Sequence, residues 1–311
     1  MRILLSQKNK ILPMKRYLKP LSFLLISCSL FISCSSDDNI EEQKYLNIPD
    51  AQFETKLINL GIDSDGIINQ QLLKSDALGV ISLDLNSSND DIITDLTGIE
   101  GFTNLKKLHA TGNNLTTIDL RFNKQLDTLV LAGNSLKNID LSNNTELIKL
   151  DLDVNELRAI TGLKNATNLK SLSLYYNSLE TLSIDNPNLE TLNVRDNFLV
   201  SLDVKKAVNL KTILAQNNKI LEVDFSANKA LEVLALSDNK LKNIDLKFNS
   251  NIEVLYCSSN LLTSLDISGL VNLNRLTVNA NPSLFCIKIH NGQNIPTFSK
   301  SDYQEFNTNC D

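Results

Sequence analysis

Hydrophobic positions recur along this chain in the order L-x-x-L-x-L-x-x-N-x-L. The clearest copy is Leu126, Leu129, Leu131, Asn134 and Leu136. The alternation of leucine with other residues predicts a short β-strand that sends its leucines inward and their neighbours outward. The asparagine follows three residues after the last inward residue of that strand. The pattern therefore predicts many short strands of one kind, each followed by a turn.

The asparagine marks the period of this pattern. It recurs at Asn113, Asn134, Asn155, Asn177, Asn197, Asn218, Asn239, Asn260 and Asn281. Neighbouring members lie 20 to 22 residues apart, and such a period indicates one unit that is copied and stacked into a solenoid. The motif resembles the leucine-rich repeat. This resemblance implies that the buried asparagine amide bonds the backbone of adjacent turns, since an unpaired buried amide would cost about 1–3 kcal/mol.

The second half of the repeat places an aspartate between two apolar residues. The copies are Ile118–Asp119–Leu120, Ile139–Asp140–Leu141, Leu202–Asp203–Val204, Val223–Asp224–Phe225, Ile244–Asp245–Leu246 and Leu265–Asp266–Ile267. They predict a second extended segment whose acid points outward, with little room for a helix. The aspartates would form either a cation-binding strip or a solvated face that discourages edge-to-edge association, and we favour the solvated face.

Short, β-rich repeats of this kind resemble those of surface lipoproteins of Gram-negative bacteria and, more loosely, of internalin-like proteins. The resemblance includes Ile48–Pro49–Asp50–Ala51–Gln52–Phe53 and Asp95–Leu96–Thr97–Gly98–Ile99–Glu100, and it extends over residues 47–311. We predict an α/β-class leucine-rich-repeat solenoid, rich in β-structure, with a curved parallel sheet of about ten strands.

Both ends of such a stack need a cap, because a terminal turn exposes an apolar face. Asp50 to Leu60 predicts a helix with Asp50 as its N-cap, Phe53, Leu57 and Leu60 on one face, and Gly61 as its stop. We therefore expect an N-terminal helical cap with a degenerate first repeat over residues 47–104, the main repeats over residues 105–285, and a C-terminal cap over residues 286–311.

Residues 1–33 are typical of a secretory signal peptide. Residues 14–19 are basic, and the apolar run that follows is too short to span a membrane. Ile32–Ser33–Cys34 resembles a bacterial lipobox, which implies cleavage before Cys34 and its lipidation, with residues 34–46 as a tether. An earlier lipobox at Cys28 and an ordinary signal peptide are the alternatives. The true start is Met1 or Met14.

The charge of the mature chain limits its partners. The full chain has 30 Lys and Arg against 36 Asp and Glu, and removing the six basic residues of the signal leaves 24 against 36, a formal charge of −12. Such an acidic chain repels nucleic acid, so we expect no nucleic-acid partner. The lipobox implies an exported protein that is anchored to the outer membrane, exposed at the surface, and in contact with the membrane through its lipid only.

Two cysteines predict a disulfide in the C-terminal cap. Cys257 occupies a core position that Leu236 fills one repeat earlier, and it is expected to be a small buried hydrophobe. Cys286 and Cys310 then remain as a pair in an exported chain, where disulfides persist. We therefore predict a C-terminal cap closed by a Cys286–Cys310 disulfide.

The sequence contains no set of residues typical of catalysis. It has two histidines and lacks C-x-x-C, H-E-x-x-H, G-x-S-x-G and phosphate-loop motifs. Asp63 and Asp65 form a weak calcium candidate. Gly61 and Leu72 would fill the first and twelfth loop positions without side-chain oxygens, so we favour a plain turn. We predict no enzyme activity, no metal and no cofactor.

Residues beside the inward leucines predict a binding surface on the concave face. A group in the middle of the array combines aromatic, cationic and apolar side chains, which anchor many interfaces. It consists of Tyr175, Tyr176, Arg195, Leu214, Gln216 and Tyr256. Ordinary variation on a solvent-facing sheet is the alternative. We predict a non-enzymatic adhesion lipoprotein that holds a protein or glycan ligand here, or else a passive component of an outer-membrane assembly.

Overall fold

The computed structural model describes residues 44–88 and 91–310, which form short strands joined by turns. The helices are α1 (Ala51–Asn59) and α2 (Lys74–Leu78), with 3-10 turns at Ile99–Gly101 and Leu163–Asn165. The strands are β1 (Tyr45–Asn47), β2 (Gln71–Leu73), β3 (Ser82–Asp84), β4 (Lys107–His109), β5 (Thr128–Val130), β6 (Asn138–Asp140), β7 (Lys149–Asp151), β8 (Ala159–Thr161), β9 (Ser171–Ser173), β10 (Thr181–Ser183), β11 (Thr191–Asn193), β12 (Ser201–Asp203), β13 (Thr212–Leu214), β14 (Val233–Ala235), β15 (Val254–Tyr256), β16 (Leu265–Asp266), β17 (Arg275–Thr277), β18 (Cys286–Lys288), β19 (Thr297–Ser299) and β20 (Glu305–Asn307).

The repeats build one long parallel sheet. Its strand order, β19-β17-β15-β14-β13-β11-β9-β7-β5-β4-β3, places successive turns side by side. The central inward residue of each strand pairs with that of the next, as Leu129 does with Leu150. The predicted leucine-rich-repeat solenoid is confirmed. Over residues 44–88 and 91–310 the sheet has eleven strands, because the degenerate first repeat supplies β3 and the C-terminal cap supplies β19.

The opposite side of the stack carries the second extended segment of each turn. Of the described strands on this side, β6 pairs with β8, β10 with β12, and β18 with both β16 and β20. Other copies of the apolar–Asp–apolar pattern, such as Ile118–Asp119–Leu120, do not form strands. The regular hydrogen-bonded structure therefore lies mainly on the side of the long sheet.

The inward leucines form a continuous core along the stack. Leu126, Leu129 and Leu131 are fully buried, and so are their counterparts in the other repeats. Cys257 is fully buried among them as predicted, and burial raises the pKa of its thiol to about 12. Each turn packs mainly against its neighbours, so the core gains stability turn by turn.

The repeated asparagines form a buried hydrogen-bonded column, which we call the first ladder. In a representative turn, Asn218 Nδ2 donates to the Val194 carbonyl at 2.9 Å, and its Oδ1 accepts from the Leu199 N–H, also at 2.9 Å. The equivalent two bonds form at every ladder member from Asn113 to Asn281. The structural role predicted for this column is confirmed.

A second column of buried asparagines lies in the other half of the repeat. Its members are Asn123, Asn144, Asn186, Asn228 and Asn249. Each amide donates to two carbonyls of the preceding turn, as Asn228 Nδ2 does to Val204 and Ala207 at 3.0 and 2.8 Å. Their Oδ1 atoms find no donor in the described part of the chain. We call this column the second ladder.

The outward aspartates open the turns that follow the second extended segment. Each accepts a bond from the backbone N–H two residues further on, as Asp224 does from Ser226 at 2.9 Å. Hydrogen bonds from Ser226 lower the pKa of the Asp224 carboxyl to about 2. Lys205 also lies 3.3 Å from Asp224. The chain's own backbone and cations thus surround these carboxylates, which agrees with a solvated face.

The N-terminal cap is a helix tied to the first repeat. Asp50 caps α1 by accepting from the Gln52 and Phe53 N–H groups at 2.9 and 3.0 Å, and its other oxygen accepts from the Thr94 N–H. Phe53 and Leu57 are fully buried as predicted. Leu60 was wrongly placed on the buried face: it is the C-cap residue and is 50% exposed.

The folded unit begins before the predicted boundary at residue 47. Tyr45–Asn47 forms β1, which pairs antiparallel with β2, and Leu46 is buried. The predicted signal peptide of residues 1–33, the predicted lipidation site Cys34 and the rest of the predicted tether up to residue 43 lie outside the described residues. Among the helices of the described ranges, none combines the length and apolar character that a membrane span requires.

The C-terminal cap contains the predicted disulfide. Cys286 and Cys310 are bonded, with their Cα atoms 5.7 Å apart. Cys286 starts β18, whose Ile287 is buried, while β20 adds Phe306 beside it. The bond therefore joins the last described residues to the final turns of the stack.

Loss of one first-ladder asparagine should destabilise the fold strongly. Asn218→Ala leaves the buried Leu199 N–H without its partner and leaves the Val194 carbonyl only the 3.3 Å bond from Asn197 Nδ2. The free energy of unfolding should therefore fall by about 1–3 kcal/mol. The control Asn217→Gly changes an exposed neighbour with φ 55° and should alter it by less than about 1 kcal/mol. Urea denaturation measures both values, and equal losses would contradict the ladder's role.

Loss of the disulfide should destabilise the C-terminal cap. Cys286→Ser combined with Cys310→Ser should lower the free energy of unfolding by about 3–4 kcal/mol, because the open loop raises the entropy of the unfolded chain. Amide hydrogen exchange should accelerate first in β18 and β20. A reductant should reproduce the effect in the unmodified protein and leave the double variant unchanged. Insensitivity of the unmodified protein to reductant would disprove this expectation.

Candidate functional site

The long sheet presents one face to solvent, which we call the sheet face; it is the face predicted to be concave. Parallel register places equivalent outward residues of successive turns next to each other, about 4.8 Å apart. Thr191 and Asn193, for example, flank the buried Leu192 and are partly exposed. Outward side chains on this face do not pack in the core, so core packing does not determine which residue types occupy these positions.

Tyr175 and Arg195 form a stacked pair on the sheet face. The Arg195 guanidinium carbon lies 5.2 Å from the centre of the Tyr175 ring. Arg195 Nε also donates to Asn193 Oδ1 at 3.1 Å. Both anchor residues are partly exposed. The pair thus combines an aromatic ring with a positioned cation, an arrangement that gains further from desolvation when a partner covers it.

A chain of side-chain hydrogen bonds supports this pair across three turns. Asn193 Nδ2 donates to Ser173 Oγ at 2.9 Å, and Ser173 Oγ donates to Asp153 Oδ1 at 2.5 Å. The same Asp153 oxygen accepts from the Tyr175 N–H at 2.7 Å. Arg195 is therefore held by a preformed network, which lowers the entropy lost when a ligand binds.

Burial raises the pKa of the Asp153 carboxyl above its ordinary value. The neighbouring Asp151 carboxylate raises it further, while bonds from Ser173 and Tyr175 and the charge of Arg195 lower it. The charge of Arg195 is thus partly balanced within the site. Asp153 Oδ1 is the acceptor on which the hydrogen bonds of this network end.

Of the other predicted site residues, only some lie next to the Tyr175–Arg195 pair. Leu214 and Gln216 belong to the next turn, beside Arg195. Tyr256 lies on β15, four strand steps from β9, which corresponds to about 19 Å. Its hydroxyl is 3.4 Å from Arg275 Nη1. The sheet face therefore holds two aromatic–arginine pairs, and the small, buried Ala235 of β14 lies between them.

Tyr176 lies at the end of the strand, on the edge of the sheet face. Its ring centre is 6.0 Å from that of Tyr175, its φ is 55° and its side chain is 58% exposed. The sequence grouped it with the sheet residues because it directly follows Tyr175. The left-handed backbone turns its side chain onto a different surface.

Several contributing residues were not anticipated from the sequence. Asp153, Ser173 and Asn193 support Arg195, and Arg275 partners Tyr256. The sequence does contain a signal for these residues, because the register of the repeats places their columns next to each other. The pattern alone does not predict which neighbouring side chains form a hydrogen bond.

The calcium candidate forms a hydrogen-bonded turn. Asp65 accepts from the Ile67 N–H at 2.8 Å and from Asn69 Nδ2 at 2.9 Å, and Gly66 has a positive φ. Burial, followed by the charge of Asp65, raises the pKa of the Asp63 carboxyl. Within residues 44–88 and 91–310, no three His, Cys, Asp or Glu side chains are grouped so that they could hold a metal ion.

Comparison with known proteins supports the fold. The chain matches no protein-family model and no curated protein. Among solved structures, it is similar to the functional domain of InlJ from Listeria monocytogenes, with 26% identity, a TM-score of 0.61, and coverage of 82% of this chain and 61% of that one.

Two further solved structures share the architecture. A leucine-rich-repeat protein of Leptospira interrogans is 23% identical with a TM-score of 0.58, over 67% of this chain and 57% of its own. Internalin C2 of Listeria monocytogenes is 23% identical with a TM-score of 0.56, over 66% and 92%. The chain thus spans about three fifths of the length of the InlJ functional domain and of the Leptospira protein. Its fold is that of the leucine-rich-repeat proteins.

Proposed function

We propose that this protein is a non-enzymatic binding protein that holds a protein ligand on its sheet face. The Tyr175–Arg195 pair, with its ring-to-cation distance of 5.2 Å, is the observation that carries the proposal. Tyrosine and arginine dominate the energetics of many protein interfaces. Neither side chain belongs to the core of this fold, so stability does not account for them.

The stacked repeats favour binding over catalysis. A leucine-rich-repeat solenoid presents an extended surface along its stack, which suits a macromolecular partner. The supporting network of Asp153, Ser173 and Asn193 positions Arg195 before the ligand arrives. A protein suits the site better than a glycan, because Arg195 already covers one face of the Tyr175 ring and leaves less of it for stacking on a sugar.

The proposed function extends to the location of the protein. We propose that it is exported and anchored to the outer membrane by lipid on Cys34, with the repeats exposed at the cell surface. The support is the basic stretch of residues 14–19, the apolar run that follows, and the polar residues after Cys34. A short anchor of this kind would hold the sheet face within reach of partners outside the cell.

Mutation of the pair should weaken binding of the protein that the full-length protein captures from the native cell surface. Arg195→Glu combined with Tyr175→Ala should reduce affinity at least about tenfold, since a hot-spot residue contributes about 2 kcal/mol or more. Titration calorimetry with the purified partner measures the change, and circular dichroism verifies the fold. Arg121→Glu, the same charge change at an exposed residue off the sheet face, is the control. Equal affinity in the pair variant and the unmodified protein would refute the assignment.

Lipidation of Cys34 is tested by mass spectrometry of protein extracted from membranes. The N-terminal peptide should begin at residue 34 and carry the added mass of acyl chains. Cys34→Ser should abolish this mass and release the protein from the membrane fraction, whereas Cys28→Ser should change neither. Loss of lipid in the Cys28→Ser variant alone would assign the anchor to the earlier cysteine instead.

A further inference from the structure

The residue before each first-ladder asparagine has a left-handed backbone, and we call its place the rim position. Its occupants are Gly112, Gly133, Val154, Tyr176, Asp196, Asn217, Asp238, Ser259 and Ala280, with φ between 54° and 73°. Glycine adopts this conformation freely, and asparagine and aspartate tolerate it. The ladder therefore imposes one backbone shape on every turn, whatever side chain is present.

Val154 and Tyr176 are poorly suited to the rim position. A β-branched or bulky residue at positive φ is a true conformational outlier. Their side chains are 44% and 58% exposed, so core burial does not compensate for the strain. Strained residues held by a rigid surrounding structure are concentrated at functional sites. The ladder bonds of Asn155 and Asn177 supply that rigidity here.

More exposed apolar side chains continue this surface on the next turns. Phe198 and Val200 follow Tyr176 by one turn, and Leu221 follows by two; they are 48%, 43% and 59% exposed. Together with Val154 and Tyr176 they are exposed apolar residues on four consecutive turns, and we call this set the rim patch. Exposed apolar residues grouped in this way mark interaction sites more often than single ones do.

A groove crosses the rim patch between Tyr176 and Phe198. It has a volume of about 450 Å³, and Glu156 and Asp196 contribute carboxylates to its lining. No lysine or arginine is among the described residues that line it. Lys137 Nζ does lie 4.0 Å from Glu156 Oε2 in an exposed ion pair, and Asn217 Nδ2 donates to Asp196 Oδ1 at 2.9 Å, so an incoming cation would compete with Lys137 for Glu156. The Lys219 ammonium lies 4.8 Å from the Phe198 ring centre. Lys219 is outside that lining, so it covers part of this ring and leaves the groove side of the ring for a ligand. Two aromatic walls and two carboxylates match the chemistry of a guanidinium group.

We propose that this groove receives an arginine side chain of a protein partner, and that the rim patch covers apolar residues next to that arginine. A planar guanidinium stacks on aromatic rings and pairs with carboxylates at once, which suits this lining better than a compact ammonium. The formal charge of −12 on the chain without its signal favours a basic partner. The proposal rests on the proposed function only in that the ligand is a protein.

The test uses capped Leu-Arg-Leu-Arg-Leu and the same peptide with citrulline in place of arginine. Citrulline keeps the shape of the side chain and removes its charge. The arginine peptide should bind the purified protein at least about tenfold more tightly than the citrulline peptide. Isotope-labelled protein should show the largest amide shifts at Tyr176 and Phe198. Equal binding of the two peptides, or no binding at about 1 mM peptide, overturns the proposal.

Two sets of variants test the carboxylates of the groove and its aromatic side chains separately. Glu156→Gln combined with Asp196→Asn should weaken the arginine peptide about tenfold and leave the citrulline peptide unchanged. Phe198→Ser should weaken the arginine peptide, whereas Phe248→Ser should not. Phe248 is a matched control, because it is also 48% exposed and carries Lys247 at 5.0 Å from its ring centre. A similar loss in both phenylalanine variants contradicts a specific groove.

Tyr176→Gly tests the strain argument on its own. Glycine retains the positive φ, so Tm should stay equal or rise while binding of the arginine peptide falls. A lower Tm would show that Tyr176 serves stability, and it would overturn the proposal. This test is independent of the sheet-face test. Loss of peptide binding in groove variants would not change the Arg195→Glu result, and failure of the Arg195→Glu prediction would not change the peptide result.

Discussion

Each turn of this solenoid must satisfy backbone groups that are buried where the chain leaves the long sheet. The first ladder does so with one side chain, because an asparagine amide both donates and accepts at a fixed distance from the backbone. Asn218 bonds a carbonyl 24 residues earlier and an N–H 19 residues earlier. Aspartate would lack the donor, and leucine would lack both groups. The repeat period, the turn geometry and the rim conformation all follow from this bond pair.

The ladder also determines where the sequence is free to vary. Inward residues are restricted to leucine-like side chains, and rim positions are restricted by their positive φ. Outward residues of the sheet face carry no such demand, and there the chain places Tyr175 and Arg195. Val154 and Tyr176, which are β-branched or bulky, depart furthest from the rim preference, and they do so in two adjacent turns. Departure from a local rule, without a gain in the core, is the pattern expected where function opposes stability.

The sequence predicted the features that depend on period and polarity. The strands, the buried asparagines, the capped helix and the Cys286–Cys310 bond each follow from spacing or from a single residue type. The second ladder was accessible to the same reasoning, since Asn123 and Asn144 each stand three residues after the last apolar residue of an apolar–Asp–apolar segment. The sequence did not predict which side chains of neighbouring repeats are in contact. These contacts depend on side-chain conformations, as in the bond from Asn193 to Ser173, and on backbone angles, as in the outward turn of Tyr176.

The turns depend more on the hydrogen bonds of the first ladder than on those of the second. This difference explains why the proposed binding surfaces lie beside the first ladder. Second-ladder asparagines only donate, and alanines such as Ala166 and Ala207 replace them in some turns. First-ladder asparagines donate and accept in every repeat, so the edge they occupy is the more uniformly constrained. The sheet face and the rim patch both border that edge. A rigid support lowers the entropy lost on binding. Anchors placed beside the first ladder therefore hold their geometry better than equivalent residues on the opposite side would.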